Sequence, residues 1–364
     1  MRKLLCFALV LFVLNGMTCA YAVDSKAETV IDKDLIYESL DEREKEIVGP
    51  ISFDGSYDVK AAMLRLYENA VLRLKEKLGS ELGFAMQFVG LAALAAVVHT
   101  INTDKKMSVI INMVCCSASA LLLAGDVDSI VKQAYESILR LSDYSKAAMP
   151  AIFSAAAASG APASSAAKYA AASMAIDLLI SAANKIIIPF INLYICVSVS
   201  KSIFDNSIIS ALAKFIKWLV CSLMTAMTMA FTAYISFTGL VIGSVDAAAV
   251  KTTRTIIANG VPVVGKIISD ASSLVLAGAA LVKNTAGVAA LLAVCALCIS
   301  PFLDLAVKML VFKAGAAFVE MLPSGKLSAL LNDFGTAFGM LMGLLGCCGV
   351  MLFISIISGI KVLV

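Results

Sequence analysis

The sequence predicts an all-α, polytopic integral membrane protein with about six or seven transmembrane helices. Of its 364 residues, 60% are hydrophobic and 15% are charged, and the mean hydropathy is +0.93. Soluble domains carry about 25% charged residues. The apolar residues fall in runs that approach the ~20 residues needed to cross a bilayer. The net charge of +3 is scattered among those runs, which argues against nucleic-acid binding because that function needs a clustered basic face.

Two segments precede the first apolar helix of the mature chain. Residues 1–22 have the pattern of a secretory signal peptide, with Arg2 and Lys3 before an apolar core and a small-residue site that ends at Ala22. Cleavage after Ala22 is expected, and an uncleaved anchor is the alternative. Residues 23–82 are charged and are expected to lie outside the cytoplasm. Within them, residues 57–78 carry an apolar stripe at helical spacing, which predicts an amphipathic helix.

Residues 83–147 are predicted to form a first helical hairpin and an amphipathic connector. The apolar runs 84–98 and 109–124 are separated by a short connection that contains Lys105 and Lys106. Basic residues are enriched in cytoplasmic connections, so this connection is expected in the cytoplasm. Residues 125–146 are charged and amphipathic.

The remaining chain divides into two predicted repeat units, residues 148–245 and 246–364. The same spacing separates Pro150 from Pro189 and Pro262 from Pro301, and the letters PFINL at the second proline correspond to PFLDL at the fourth. This pattern indicates an internal duplication of proline-broken helical units, an arrangement that is typical of transport proteins.

The apolar runs predict a specific arrangement of spans. It places the N-terminal segment outside the cytoplasm and the C-terminus inside, with spans near 84–99, 108–124, 186–204, 218–242, 286–300, 302–321 and 335–360. The repeat raises a rival arrangement in which residues 176–188 also span, and the number of spans and the orientation then change.

The stretch from Asp246 to Lys313 carries polar residues that a simple membrane anchor would not need. An ionisable group at bilayer depth costs about 2.5–3.5 kcal/mol on insertion scales. Asp304 and Lys308 are four residues apart and are expected to pair with each other. Asp246, Arg254 and Lys283 have no local partner, and they either line an aqueous path or reach water at the interface.

Glycines recur every four residues from Gly335 to Gly343, which predicts a helix-packing surface. Alternatively, this glycine surface faces a pore or a second copy of the chain in a homo-oligomer. The candidate functional and packing positions are Asp246, Arg254, Pro262, Gly265, Lys283, Pro301, Asp304, Lys308, Gly335, Gly339 and Gly343.

The sequence does not predict an enzyme, a cofactor or a metal site. His99 is the only histidine, and no pair of carboxylates stands in a context suited to acid–base work. Cys295 and Cys298 form a C-x-x-C without further ligands nearby, whereas zinc sites normally need four. Residues 260–266 have the letters of a phosphate loop, but Ile267 replaces the Ser or Thr that would bind magnesium.

The run from Phe231 to Lys313 resembles a known family, and the likeness continues through Lys326 to Ile360. The runs TAYISFTGLVIGSVDAAAVKTTRTII, VPVVGKIISDASSLVLAGAALVKN and ISPFLDLAVKMLVFKAGAA are similar to the stage III sporulation protein AE family of endospore-forming bacteria. The resemblance implies a protein of the mother-cell membrane that surrounds the forespore. It also implies membership of a channel or secretion-like assembly with other stage III A proteins and stage II protein Q, which supports late forespore gene expression. The family implies no catalytic residues.

Two other functions fit the residues alone. An independent secondary transporter for a small solute would explain the intramembrane charges and the duplicated units. A scaffold without a conduction path would work through packing and protein contacts only.

Overall fold

The computed structural model describes residues 40–49, 59–101, 105–158, 162–204, 206–260, 264–322 and 325–360, with the backbone alone for 235–287 and for a few residues at helix ends. The predicted signal peptide, residues 1–22, lies outside this described part. Eight α-helices and one π-helical turn follow in order: α1 Glu42–Val48, α2 Val59–Ile101, α3 Lys105–Ala158, α4 Pro162–Ala182, the π-turn Ala183–Ile187, α5 Ile188–Ile203, α6 Ser207–Gly260, α7 Val264–Glu320 and α8 Gly325–Ile360. The all-α prediction is confirmed.

Helix α1 is short, and a hydrogen bond from a backbone N–H group stabilises each of its ends. The backbone N–H of Asp41 donates to Glu44 Oε2 at 2.8 Å, which satisfies a donor at the helix start. Gly49 ends the helix at a φ of 71°, and its N–H donates to the carbonyl of Lys45. A Cβ at this position would meet the Arg65 guanidinium, so α1 also depends on glycine for its close approach to α2.

Helices α2 and α3 are longer than the sequence predicted. The predicted amphipathic helix and the first apolar run are one continuous helix, α2. Helix α3 likewise joins the second apolar run to the charged connector. Gly79 and Gly83 lie inside α2, where glycine costs about 1 kcal/mol relative to alanine, and this is too little to end a packed helix. Together α2 and α3 form a long hairpin.

The prolines do not divide the chain as expected. Pro150 lies inside α3 and Pro301 lies inside α7, so the predicted separate spans 286–300 and 302–321 are one helix. Packing against neighbouring helices offsets the hydrogen bond that an internal proline removes. Pro189 follows the π-turn, in which Ile188 N–H donates to the carbonyl of Ala183. The wider turn accommodates a residue without an N–H. Pro262 lies outside the described residues.

Six helices of the described part are long and apolar enough to cross a membrane: Ala61–Val98, Val109–Ser154, Ser165–Ile203, Ser207–Tyr234, Val288–Glu320 and Lys326–Ser358. The protein is therefore an integral membrane protein. Merging the two predicted spans around Pro301 leaves an even number of crossings. Helix α2 consequently begins at the same end of the bundle at which α8 finishes, and we call this the open end. The connections α2–α3, α5–α6 and α7–α8 lie at the opposite end, which we call the connection end.

Helices α7 and α8 form the centre of the bundle, and the glycine stripe packs there. A Cβ at Gly335 would lie 3.0 Å from Lys313 Cγ and 3.3 Å from the Met309 carbonyl oxygen, and one at Gly339 would lie 3.1 Å from Met309 Sδ. Gly343 instead faces Met224 on α6. The stripe therefore brings α8 close to two helices of its own chain.

Candidate functional site

Asp304 and Lys308 lie one turn apart near the middle of the α7 span, and both are buried. Their positions are unusual because the surrounding residues of α7 are almost all apolar. A buried charge is tolerated only when other charges and hydrogen bonds compensate it. The residues that compensate Asp304 and Lys308 come from α2 and α3.

Lys308 is held by two carboxylates. Its Nζ lies 3.0 Å from Glu81 Oε1 on α2 and 2.8 Å from Asp126 Oδ1 on α3. The Phe84 ring lies below the same ammonium group, 5.9 Å from Nζ to the ring centroid. Lys308 thus ties three helices together at one point, and the side chains of Lys308 and Glu81 are both only 10% exposed.

Asp304 accepts from a different group of residues. Gln133 Nε2 on α3 donates to Asp304 Oδ2 at 2.8 Å, and Arg73 Nη2 on α2 lies 3.5 Å from the same oxygen. Lys77 Nζ lies 3.9 Å away. Within the described residues, Asp304 Oδ1 and Arg73 Nε have no hydrogen-bond partner. Asp304 is therefore compensated in charge but incompletely in hydrogen bonds.

These groups form one balanced cluster, which we call the central ion network: Arg73, Lys77, Glu81, Asp126, Gln133, Asp304 and Lys308. Its three basic and three acidic side chains balance. The expected pairing of Asp304 with Lys308 is wrong, because each has other partners. The physical reason is geometric: α2 and α3 present opposite charges directly to Asp304 and Lys308, so each finds its partners on other helices.

A second buried carboxylate lies towards the connection end. Lys201 Nζ at the end of α5 lies 2.8 Å from Asp333 Oδ2 on α8, and the Tyr194 hydroxyl donates to Asp333 Oδ1 at 3.2 Å. We call Tyr194, Lys201 and Asp333 the terminal ion cluster. Lys201 is partly exposed, so this cluster retains contact with the surroundings.

Several predicted positions lie where only the backbone is described. Asp246 and Arg254 are on α6, and Gly265 and Lys283 are on α7. That Asp246, Arg254 and Lys283 line an aqueous path or reach water at the interface stays a prediction. His99 is on α2, again with the backbone alone described. Among the residues whose side chains are described, no group of three or more His, Cys, Asp or Glu side chains is placed to hold a metal ion.

Sequence reasoning missed the α2 and α3 members of the central ion network. The charged residues of 57–78 and 125–146 were visible as polar faces of amphipathic helices, but Arg73, Glu81 and Asp126 turn inward. Their partners lie far away along the chain, and Asp126 and Lys308 are 182 positions apart. The only available signal was the unexplained charge of Asp304 and Lys308, which requires compensation from elsewhere.

Comparison with known proteins agrees with this architecture. Over 173 residues the chain is 21% identical to "Stage III sporulation protein AE" of Bacillus subtilis (strain 168), an alignment that covers 48% of this chain and 43% of that relative. No solved structure matches the chain. Residues 55–361, which include every described transmembrane helix, match the family described as Stage III sporulation protein AE. The chain therefore belongs to the stage III sporulation protein AE family.

Proposed function

We propose that this protein is a membrane-embedded, non-enzymatic component of the channel complex that joins the mother cell to the forespore. Its role is to support forespore development and late gene expression during endospore formation. The observation that carries the proposal is the family match over residues 55–361 on a bundle with six candidate spans. Its partners are other stage III A proteins and stage II protein Q, as the family resemblance implies.

The paired lysines Lys105 and Lys106 at the α2–α3 connection support an orientation in the mother-cell membrane around the forespore. Basic residues flank all three connections at the connection end: Lys105, Lys106, Lys201, Lys214, Lys217, Lys313 and Lys326. Positive charge close to span ends favours the cytoplasmic side. The connection end then lies in the mother-cell cytoplasm. The open end, with the N-terminal segment and the end of α8, then lies on the extracytoplasmic side between the two membranes, which differs from the cytoplasmic C-terminus that the seven predicted spans imply.

Gene deletion in a sporulating host tests the proposed role. Forespore volume and a late forespore reporter are followed after engulfment in the deletion strain and in the same strain complemented with the intact gene. We expect the deletion to abolish late reporter activity and to shrink the forespore, and the intact gene to restore both. Normal forespores and a normal reporter in the deletion strain would contradict the proposal.

Partner capture tests membership of the complex separately from the phenotype. A tagged chain is purified from sporulating cells in mild detergent and the associated proteins are identified. We expect stage III A proteins and stage II protein Q to copurify with it, and a tagged unrelated six-span protein made in the same cells provides the matched control. Recovery of the chain without these proteins, or equal recovery with the control, would contradict membership.

One observation favours a second candidate function, an independent secondary transporter. The central ion network lies near the middle of the α7 span, and secondary transporters bind substrates and coupling ions near the bilayer midplane. A transporter would accumulate solute in proteoliposomes that contain this chain alone, driven by an ion gradient. A channel component would not drive accumulation under these conditions, so the vesicle experiment separates the two functions.

A further inference from the structure

One side of α2 faces away from the rest of the bundle. Glu81 and Phe88 are on the inner side, where Glu81 pairs with Lys308 and the Phe88 ring centroid lies 5.9 Å from that of Phe312. At about 100° per residue, the opposite side carries exposed residues that fall within about 40° of one another. We call this strip the outer α2 face, and it consists of Leu72, Gly79, Gly83, Gly90 and Val97.

The three glycines of the outer α2 face have no packing role within the described part of the chain. A Cβ at Gly79, Gly83 or Gly90 would meet nothing there within 4 Å. A glycine in a helix interior costs about 1 kcal/mol relative to alanine. Glycines on a membrane helix allow the backbone of a second helix to approach closely. The outer α2 face therefore has the shape of a helix-packing surface that its own chain leaves uncovered.

Two opposite charges flank the outer α2 face. Lys75 and Glu76 lie on either side of its centre line, each about 50° from it. Both side chains are exposed, and neither forms an ion pair or a hydrogen bond with a described residue. Leu72, one turn before them, is 61% exposed. Lipid would suit Leu72 but not the charges, and water would suit the charges but not Leu72, whereas a protein surface can match both.

A second copy of the chain matches this arrangement of charges. Two copies with the same topology in one membrane run parallel, so a two-fold axis along the membrane normal relates them. Rotation about this axis places Lys75 of each copy opposite Glu76 of the other. Two reciprocal ion pairs then lie one turn from the close approach at Gly79. From this self-complementarity, we propose that the outer α2 face is a homodimer interface in which two α2 helices pack in parallel.

The spacing along the outer α2 face suits a long parallel contact. Leu72 and Gly79 are seven residues apart, and the same spacing separates Gly83, Gly90 and Val97. Seven-residue spacing keeps one strip of a helix towards a parallel partner along its whole length. From Leu72 to Val97 this contact is about 38 Å long, and it lies within the first candidate span. The dimer goes beyond the proposed function and does not rest on it.

Disulfide cross-linking maps the interface. Val97→Cys and Val98→Cys place a thiol at neighbouring positions, 55% and 44% exposed, of which only the first is near the centre line. Each full-length variant is oxidised mildly in membrane vesicles at equal protein levels, and mass spectrometry identifies the linked residues. The natural chain gives the background from its own cysteines. Because a disulfide needs the two Cα atoms within about 7 Å, we expect dimers linked through Val97→Cys and only background through Val98→Cys.

Charge reversal tests the reciprocal ion pairs. Lys75→Glu sets acidic side chains opposite each other in the dimer, and Glu76→Lys does the same with basic ones. We expect either substitution to reduce the dimer linked through Val97→Cys about tenfold, because like charges face each other. The double variant Lys75→Glu, Glu76→Lys exchanges the two charges in both copies and should restore the dimer. A different partner would keep its own charges and would not be restored.

A bulky side chain tests the close approach of the two helices. Gly83→Leu would hold the two backbones apart, so we expect it to abolish the dimer linked through Val97→Cys. Gly125→Leu on α3 is the matched control, because Gly125 is also an exposed helix glycine whose Cβ would meet nothing within 4 Å. This control should leave the dimer unchanged.

Four outcomes would overturn the proposal. The first is equal cross-linking through Val97→Cys and Val98→Cys, and the second is a double charge variant that dimerises no better than the single variants. Cross-links from Val97→Cys to a different protein would assign the outer α2 face to that protein instead of a second copy. Only background cross-linking through Val97→Cys would show that lipid covers the face.

Discussion

The central ion network and the terminal ion cluster both bury a carboxylate in the bundle, but they compensate it differently. In the network, Lys308 is enclosed by Glu81 and Asp126 from two other helices, and none of the three is fully exposed to its surroundings. In the cluster, Lys201 pairs with Asp333, and 28% of the Lys201 side chain remains exposed. The charges of the central ion network thus come from three helices, whereas those of the terminal ion cluster come from two.

This difference determines what each cluster contributes. Removing Lys308 leaves the Glu81 carboxylate, which is only 10% exposed, without its cation, so the loss is large. Removing one member of a partly exposed pair allows the other to turn outward, so the loss is smaller. We therefore expect the central ion network to control helix assembly and the terminal ion cluster to adjust it. The following predictions run from the largest effect to the smallest.

Replacing Lys308 with Met is expected to have the largest effect. Glu81 and Asp126 would lose their shared cation while remaining half or more enclosed. The expected loss is about 3–5 kcal/mol in the free energy of unfolding. Unfolding in mixed detergent micelles provides the measurement. Lys214→Met, at an exposed position of α6, is the matched control and should change stability little. Equal stability of the two variants would show that the network is not a major source of stability.

Gly335→Ala tests how strongly the close packing of α8 against α7, beside the terminal ion cluster, contributes to stability. The added Cβ would lie 3.0 Å from Lys313 Cγ and 3.3 Å from a backbone oxygen that cannot move alone. We expect destabilisation of about 1–3 kcal/mol from overpacking. Gly343→Ala is the control, because its Cβ would make an ordinary 3.7 Å contact with a flexible methionine. A similar loss for both variants would contradict the assigned packing.

Asp333→Asn removes the charge of the terminal ion cluster while retaining an acceptor for the Tyr194 hydroxyl. Because Lys201 can turn towards water, the expected loss is about 1–2 kcal/mol. The exposed carboxylate Asp177 supplies the control substitution, Asp177→Asn. A loss as large as that of Lys308→Met would remove the proposed distinction between the two clusters.

The smallest effect concerns α1 and its pH dependence. Burial raises the pKa of Glu44 above 4.5, the nearby Asp41 carboxylate adds to this, and the Asp41 backbone N–H and Arg140 oppose it. The neutral form is therefore favoured in the docked helix. Its contribution to stability is present below pH 4.5 and is lost as the pH rises through the raised pKa.

Hydrogen exchange of the α1 amides, corrected for intrinsic rates, measures this contribution. We expect α1 protection to decline as the pH rises through that window and Glu44→Gln to remove the decline. Glu42→Gln is the control because the Glu42 side chain is 93% exposed. Persistence of the pH dependence in Glu44→Gln would assign it to another group.

The sequence could predict the helices because apolar runs and helical periodicity are local properties. It could not predict that Pro150 and Pro301 lie inside helices, since the energy that offsets a missing backbone hydrogen bond comes from packing with distant residues. For this reason the sequence predicted two spans, one on each side of Pro301, where the structure has one helix. Within the predicted segment 57–78 the structure shows a helix from Val59 onward, but the sequence did not predict that this helix continues into the first apolar run.

The candidate site could be predicted only in part, because the partners of its charged residues come from distant parts of the chain. Buried charges at Asp304 and Lys308 indicate that compensation is needed, but their spacing suggests only the nearest partner, each other. The partners that the structure shows, Glu81, Asp126 and Arg73, depend on how α2 and α3 dock against α7.

The most direct test of the central ion network is whether neutralising its other members rescues the loss of Lys308. The unfolding free energies of the wild type, Lys308→Met and the triple variant Glu81→Gln, Asp126→Asn, Lys308→Met are compared in the same micelles. If uncompensated charge causes the loss, the triple variant should recover more than half of the stability that the single variant loses. A triple variant less stable than the single variant would contradict the view that charge balance holds α2, α3 and α7 together.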